Sequence, residues 1–316
     1  MRIAFVDSVH PVLAARLTAA GHETTALQHL DDAALGNALA DQQGIVVRSR
    51  RLSAELLQQA PALRFVARVG SGLENIDQEH CRALGVLVLN SPEGNRDGVG
   101  ELCVAQLLAL LKHTHRANAQ VRRGLWLREE NRGTDLHGRT VGIIGFGHMG
   151  SAFAEKLAGF GVRILAHDKY RTDLPEHGVE ACTLDELLAA ADVVSLHLPL
   201  NAETHHYAST DLFARLQRPV WFLNTARGPL VDTAALLDAL DQGRVIGAAL
   251  DVLEFERADL SGLDPSMAPR TLERLLADER VLLTPHIAGV THEGKLKMAT
   301  VLADKILDAI AHAPQH

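Results

Sequence analysis

The chain has 316 residues, room for about two domains at roughly 150 residues each. Apolar residues make up 47% and charged residues 22%, an ordinary globular balance that excludes a disordered chain. Lys and Arg total 31 against 39 Asp and Glu, a formal charge of −8 that argues against nucleic acid as a partner. With 8 Phe, 2 Tyr and 2 Trp there are few stacking surfaces for single strands either. Three cysteines, Cys81, Cys103 and Cys182, form no CxxC pair, so neither a disulfide framework nor a cysteine zinc site is expected. A reducing cytoplasm fits them. The apolar run at residues 3–6 is too short for a signal peptide, and the most apolar helical stretch, 102–111, is too short to cross a membrane.

Along the chain, short β-branched runs alternate with amphipathic stretches. Strands are expected at 2–7, 44–48, 64–69 and 86–89, with helices such as 11–20, 53–60 and 78–84 between them. A stronger series follows at 140–145, 163–168, 192–198, 220–224, 245–251 and 281–284, separated by helices opening near His148, Thr183, Thr210 and Thr233. Runs such as Val141-Gly142-Ile143-Ile144 suit strands covered on both faces, so the pattern predicts α/β architecture with parallel sheets and right-handed crossovers. Two long helical stretches, 98–122 and 291–311, contain no strand, and the second ends the chain. Residues 252–280 read as a loop of about 29 residues, long enough to carry function.

The strand at 140–144 runs straight into Gly145-Phe146-Gly147-His148-Met149-Gly150, a G-x-G-x-x-G that opens a helix. Gly145 permits the tight turn, Gly147 lets backbone approach a pyrophosphate, and Gly150 allows close helix–strand packing. Free N–H groups of His148 and Met149 at the helix start attract the anion. The next strand ends at Asp168, placed to hydrogen-bond an adenosine ribose and to disfavour a 2′-phosphate, so the expected cofactor is NAD. Lys169 and Arg171 follow and leave residual NADP use open.

Three later strand ends deliver chemistry. They lead into Asn224-Thr225-Ala226-Arg227-Gly228, into Ala249 through Glu256 with Asp251, and into Thr284-Pro285-His286-Ile287. Loops beyond the carboxyl ends of parallel strands surround the ligand crevice. Hydride transfer to a 2-oxo acid needs a cation for the carboxylate, a proton donor for the carbonyl oxygen and a carboxylate partner for the imidazolium.

These segments, with Gly70-Ser71-Gly72-Leu73-Glu74-Asn75-Ile76-Asp77, Asn90-Ser91-Pro92, Gly138-Arg139-Thr140 and His197-Leu198-Pro199, closely resemble the D-isomer-specific 2-hydroxyacid dehydrogenases over residues 46–302, and within them the phosphoglycerate dehydrogenases. The resemblance implies two doubly wound domains, with a Rossmann dinucleotide-binding domain (97–286) inserted into a flavodoxin-like substrate domain (1–96 plus 287–316). It implies a cleft between them, hinge helices at 98–122 and 291–311, and a homodimer through the dinucleotide domain. By the same resemblance Arg227 clamps the substrate carboxylate and carbonyl oxygen, His286 is the acid/base, and Glu256 orients and charges it. Backbone amides of Ser71 and Gly72 receive the carboxylate, Thr225, Ala226 and Asp251 line the nicotinamide side, and His197, Leu198 and Pro199 wall the cofactor.

Taken singly these residues have plainer readings: a helix-start arginine, a surface-turn histidine, a solvated glutamate. Their joint placement with the glycine loop makes the case. Other histidines (His113, His115, His205, His206) lack a carboxylate set, so no metal site is expected, and Cys103 reads as a small buried hydrophobe. Arg48 and Arg50, two apart on an extended segment, point the same way and could grip a phosphate. The chain departs from the family where Arg257 stands in place of proline, where Glu74 replaces aspartate, and in a longer 252–280 loop. Pro285 stands where formate dehydrogenases carry glutamine, and the end at His316 leaves no room for an appended regulatory domain. Three functions follow: oxidation of 3-phosphoglycerate for serine synthesis, reduction of another small 2-oxo acid such as hydroxypyruvate, glyoxylate or pyruvate, and an NAD-sensing binding protein without catalysis.

Overall fold

The computed structural model describes residues 1–171, 178–257 and 259–312. Contacts divide the chain into two units, Met1–Arg96 with Val290–His316, and Asp97–Gly289.

The first unit opens with β1 (Arg2–Phe5), α1 (Val12–Ala19), β2 (Glu23–Ala26), α2 (Asp32–Ala38), β3 (Gly44–Val47), α3 (Ala54–Leu57), β4 (Phe65–Arg68), α4 (Gln78–Ala83) and β5 (Leu87–Asn90). Its five strands are parallel in the order β2-β1-β3-β4-β5. That order reverses between β1 and β3, the doubly wound arrangement of flavodoxin-like sheets. Burial follows the two-residue period. Ala4 and Val6 face one core with Ile45 and Val47, while Ile3 and Phe5 face the other with Val46. The short helices are held by their first residues: Asp31, Ser53 and Asp77 each accept a backbone N–H three residues on.

The second unit contains most of α5 (Arg96–Leu111), then α6 (Thr114–Arg122), β6 (Thr140–Ile144), α7 (His148–Leu157), β7 (Arg163–His167), β8 (Val179–Ala181), α8 (Leu184–Ala190), β9 (Val193–Leu196), α9 (Thr210–Ala214), β10 (Val220–Asn224), α10 (Thr233–Asp241), β11 (Val245–Leu250), α11 (Pro269–Ala277) and β12 (Val281–Leu283). The seven-stranded parallel sheet runs β12-β11-β10-β9-β6-β7-β8, reversing between β6 and β9. Val141 and Ile143 pack under α5 and α7, whereas Ile144 faces the opposite layer with Leu187, Leu212 and Leu236. The chain then returns to the first unit as α12 (His292–Ala311), whose Met298, Leu302 and Ile306 complete the core around Ile3, Phe5 and Leu17.

The α/β architecture with parallel sheets stands as read from sequence. Four details differ. The strands β2 and β8 were not expected: Glu-Thr-Thr-Ala and Val-Glu-Ala are short, half-exposed sheet edges with no apolar run. The stretch 98–122 is two helices, broken where His113 takes the left-handed conformation at φ 51°. The 252–280 loop holds α11, whose Leu272 and Leu275 join the core. Its Arg274 pairs with Asp238 and Asp241 of α10, and Arg280 beyond it bridges Asp241 and Asp278.

Candidate active site

At the turn from β6 into α7, Gly145 sits at φ 90°, and a Cβ there would lie 2.6 Å from the His197 carbonyl oxygen. A Cβ on Gly150 would fall 2.2 Å from the Gly145 oxygen, so this glycine brings helix onto strand. Gly147 is different: a Cβ there meets nothing within 4 Å, so its bareness serves no internal contact and leaves the backbone open to an approaching group. His148 and Met149 start α7 with Gly147 as its cap. This bare turn at a helix N-terminus, at the point where the sheet order reverses, fits a dinucleotide pyrophosphate.

Asp168 follows β7 and faces the same turn. Its Oδ2 accepts from the N–H of Phe146 at 2.7 Å, and its Oδ1 from those of Tyr170 at 2.9 Å and Arg171 at 3.0 Å. Burial disfavours the charge, but these three donors and the Arg171 guanidinium outweigh it and hold the carboxyl below the usual carboxylate range. Arg171 donates to the Phe146 carbonyl at 2.7 Å and lies over that ring, while Lys169 pairs with Glu203. Past β9, His197 is half-buried, its Nε2 2.9 Å from the Ser195 hydroxyl and its Nδ1 covered without a partner among the described residues. Burial pushes its pKa down to about 4. Leu198 and Pro199 follow it, the proline exposed.

The three loops beyond β10, β11 and β12 are tied together. Buried Asn224 donates to the Arg227 carbonyl at 2.8 Å and accepts from the Ala226 N–H at 3.0 Å, which shapes the Thr225-Ala226-Arg227 turn. The guanidinium of Arg227, half-buried, donates to the Ala226 oxygen at 2.6 Å. Gly228 presses so closely on the next loop that a Cβ would stand 2.0 Å from the Leu253 carbonyl. Asp251, 1% exposed, accepts from the Thr284 hydroxyl at 2.5 Å and from the N–H groups of Ile287 at 2.9 Å and Ala288 at 2.8 Å.

Glu256 and His286 meet in this framework, 30 residues apart in the chain. Oε1 of Glu256 accepts from the Leu253 N–H at 2.6 Å, which fixes the side chain, and Oε2 lies 2.8 Å from His286 Nδ1. The carboxylate therefore orients the ring through Nδ1 and leaves Nε2 for other chemistry. His286 itself is held at φ 55°, an uncommon backbone for a residue with a Cβ.

The substrate-side expectations fall in the first unit. The N–H groups of Ser71 and Gly72 have no acceptor among the described residues. Around them Ser71 donates to Asn95 Oδ1 at 2.8 Å, and Asn90 donates to the Ser71 carbonyl at 2.6 Å. The Arg48–Arg50 expectation needs correction. The strand ends at Val47, and the Asp7 carboxylate gathers the N–H groups of Arg48, Ser49 and Arg50 at 2.8, 2.8 and 2.9 Å into a bend, so alternation along an extended segment does not apply. Arg50 donates to the Leu30 carbonyl at 2.6 Å, whereas Arg48 stays exposed. Sequence reading passed over Arg68, which donates to the Arg48 carbonyl at 3.1 Å and crosses Gly70, where a Cβ would meet its Nη1 at 2.2 Å. It also passed over Gln106, a lone buried amide in the apolar helix α5.

The fold and glycine turn define a dinucleotide-binding α/β protein. A family model described as D-isomer specific 2-hydroxyacid dehydrogenase, NAD binding domain, matches residues 104–288. The chain is 35% identical to a hydroxypyruvate reductase of Thermotoga maritima, over 88% of each chain. It is 36% identical to a D-3-phosphoglycerate dehydrogenase of Mycobacterium tuberculosis over 87% of its own length, but spans only 50% of that protein. Among solved structures, a D-lactate dehydrogenase of Aquifex aeolicus, complexed with NAD and lactic acid, superposes with a TM-score of 0.81 at 28% identity, covering 98% of this chain and 94% of that one. The chain belongs to the D-isomer specific 2-hydroxyacid dehydrogenase family, oxidoreductases of the CH–OH group that use a nicotinamide dinucleotide.

Proposed function

We propose that this chain interconverts a D-2-hydroxy acid and its 2-oxo acid with NAD, with 3-phosphoglycerate and 3-phosphohydroxypyruvate, the pair feeding serine synthesis, as preferred substrates. The second unit serves as the NAD-binding domain and the first as the substrate domain. The observation that carries the reaction is the Glu256–His286 contact of 2.8 Å, on loops tied to the one bearing Arg227. Bound nicotinamide supplies or accepts the hydride. In reduction, imidazolium His286 gives its proton to the carbonyl oxygen while Arg227 holds the carboxylate with its planar fork. In oxidation neutral His286 takes the hydroxyl proton. Glu256 orients the ring in both directions. The glycine turn Gly145–Gly150 and Asp168 hold the pyrophosphate and adenosine ribose, with His197, Leu198, Pro199, Thr225, Ala226 and Asp251 around the remainder.

The phosphorylated substrate is supported by the arginines of the first unit. Arg68 crosses Gly70, next in the chain to Ser71, and exposed Arg48 is hydrogen-bonded to it through its carbonyl. A second reading, reduction of unphosphorylated hydroxypyruvate or glyoxylate, is favoured by the engagement of Arg50 with Leu30 and by the 35% identity to the Thermotoga reductase. NADH oxidation by the purified chain with phosphohydroxypyruvate beside hydroxypyruvate decides between them. A kcat/KM favouring the phosphorylated acid by tenfold or more, about 1.4 kcal/mol, is expected. Preference for hydroxypyruvate establishes the second reading, and turnover of neither contradicts both.

We further propose a homodimer formed through the second unit, acting in the cytoplasm. None of the residues of α6 is buried, and Val121, Leu125 and Trp126 expose apolar surface together, Trp126 at 77%.

A further inference from the structure

We infer that Gln106 and Thr284 are positioning residues for His286, acting through Asp251, an inference that rests on the acid/base reading of His286 given above. The hydrogen-bond chain has only one direction. The Thr284 hydroxyl carries one proton, and 2.5 Å away is a carboxylate oxygen of Asp251 that already accepts from the Ile287 N–H. Thr284 therefore donates to Asp251 and must accept from its other neighbour, so Gln106 presents its amide Nε2, at 2.8 Å, as the donor.

That arrangement has a cost. Gln106 is 2% exposed and its Oε1, also buried, has no partner among the described residues. A leucine would fill the helix face between Cys103 and Leu110 without stranding a carbonyl oxygen. The amide is explained by what its other end does: it fixes the Thr284 hydroxyl, and through it the carboxylate that collects the N–H groups of Ile287 and Ala288. The backbone of Asp251 adds to this, its carbonyl accepting from the His286 N–H at 2.7 Å. His286 is thus gripped at its backbone by Asp251 and at its ring by Glu256, in a left-handed conformation it would not hold unaided.

The same face of α5 reaches the neighbouring loop. One turn before Gln106, the Cys103 thiol lies 3.2 Å from the Thr225 hydroxyl, two residues before Arg227. A single helical ridge braces both loops that carry the proposed substrate-handling groups. Burial pushes the Cys103 thiol up to about 12, so it acts there as an unreactive packing group.

Loss of the Thr284 hydroxyl removes one of the two donors on that Asp251 oxygen, leaving the Ile287 N–H alone to hold it, and lets the 286–288 turn relax. Misplacement of His286 should then appear in turnover rather than in cofactor binding. The test uses the full chain with Thr284→Val, Thr284→Ser and Gln106→Leu, assayed with NADH and the better of the two oxo acids. Thr284→Val is expected to lower kcat by about tenfold, with the Kd for NADH within about twofold and the pH profile of kcat altered. Thr284→Ser is expected to restore kcat, and Gln106→Leu to lower it. Adding Gln106→Leu to Thr284→Val should cost no more than Thr284→Val alone, because both cut one chain. An unchanged kcat in Thr284→Val, no rescue by serine, or additive losses in the double variant each overturn the inference. Should Thr284→Val fail to fold, Gln106→Leu decides the same question by its kcat. His286→Asn is run alongside. Lost turnover there with intact Thr284→Val overturns only the positioning role, whereas retained turnover in His286→Asn overturns the acid/base reading itself.

Discussion

The proposed chemistry rests on single side chains, and their contacts decide what each substitution should do. Glu256 is committed on both oxygens, to the Leu253 N–H and to His286, so its charge acts on the imidazole from a fixed position. Glu256→Gln removes that charge and loosens the hold on the ring proposed as the proton donor. The kcat of reduction is therefore expected to fall by about tenfold with the Kd for NADH within about twofold, and an unchanged kcat contradicts the pairing. His197 bears on stability instead. Its pKa lies near 4, below the ordinary 6.5, so between these values the unfolded chain binds a proton that the folded chain does not. Stability should fall as pH drops from about 6.5 toward 4, and His197→Asn should flatten that part of a Tm–pH curve. Residues of this kind were unequally legible in the sequence. Arg227, Glu256 and His286 could be singled out because each follows a strand end in a parallel sheet. Gln106 gave no signal, since one amide in an apolar helix looks like noise until Thr284 appears beside it. The shared direction expected of Arg48 and Arg50 fails because the period-two argument was carried past Val47, where Asp7 bends the chain.

At the scale of elements, the glycines of the β6–α7 turn separate folding from binding. Gly150→Ala drives a Cβ to 2.2 Å from the Gly145 carbonyl, a backbone atom that cannot step aside. It should cost about 1–3 kcal/mol, lowering Tm by several degrees. Gly147→Ala meets nothing within 4 Å, so Tm should hold while the Kd for NADH rises by tenfold or more, measured by nicotinamide fluorescence. A Tm loss without weaker binding would remove Gly147 from the cofactor site. The strongest strands were readable because burial on both faces demands continuous apolar runs such as Val141 to Ile144. Sheet edges face no such demand, which is why β2 and β8 escaped. Helix α11 escaped for another reason. Its stripe of Leu272 and Leu275 spans barely one turn, and it is pinned by Arg274 to acids of α10 that are over thirty residues away in the chain.

For the whole molecule, the two sheets have the strand orders 2-1-3-4-5 and, counted from β6, 3-2-1-4-5-6-7, each reversing once. The reversal in the second unit coincides with the glycine turn, the position at which open α/β sheets take their ligands. No helix among the described residues is long and apolar enough to cross a membrane. The formal charge of −8 favours mutual repulsion between copies, yet the exposed apolar side chains of Val121, Leu125 and Trp126 run against it. The proposed dimer predicts twice the monomer mass in sedimentation at micromolar concentration, reduced to the monomer mass by Trp126→Arg. A monomer in the unaltered chain contradicts that proposal.

The central claim is that His286 moves a proton in step with hydride transfer. It is tested most directly by mixing the preformed NADH complex with phosphohydroxypyruvate or hydroxypyruvate and following nicotinamide absorbance in a single turnover, for the unaltered chain and for His286→Asn. The variant is expected to bind NADH as before but to transfer hydride at least about a hundredfold more slowly, the contribution of a positioned general acid. Equal rates in the two proteins would contradict the claim.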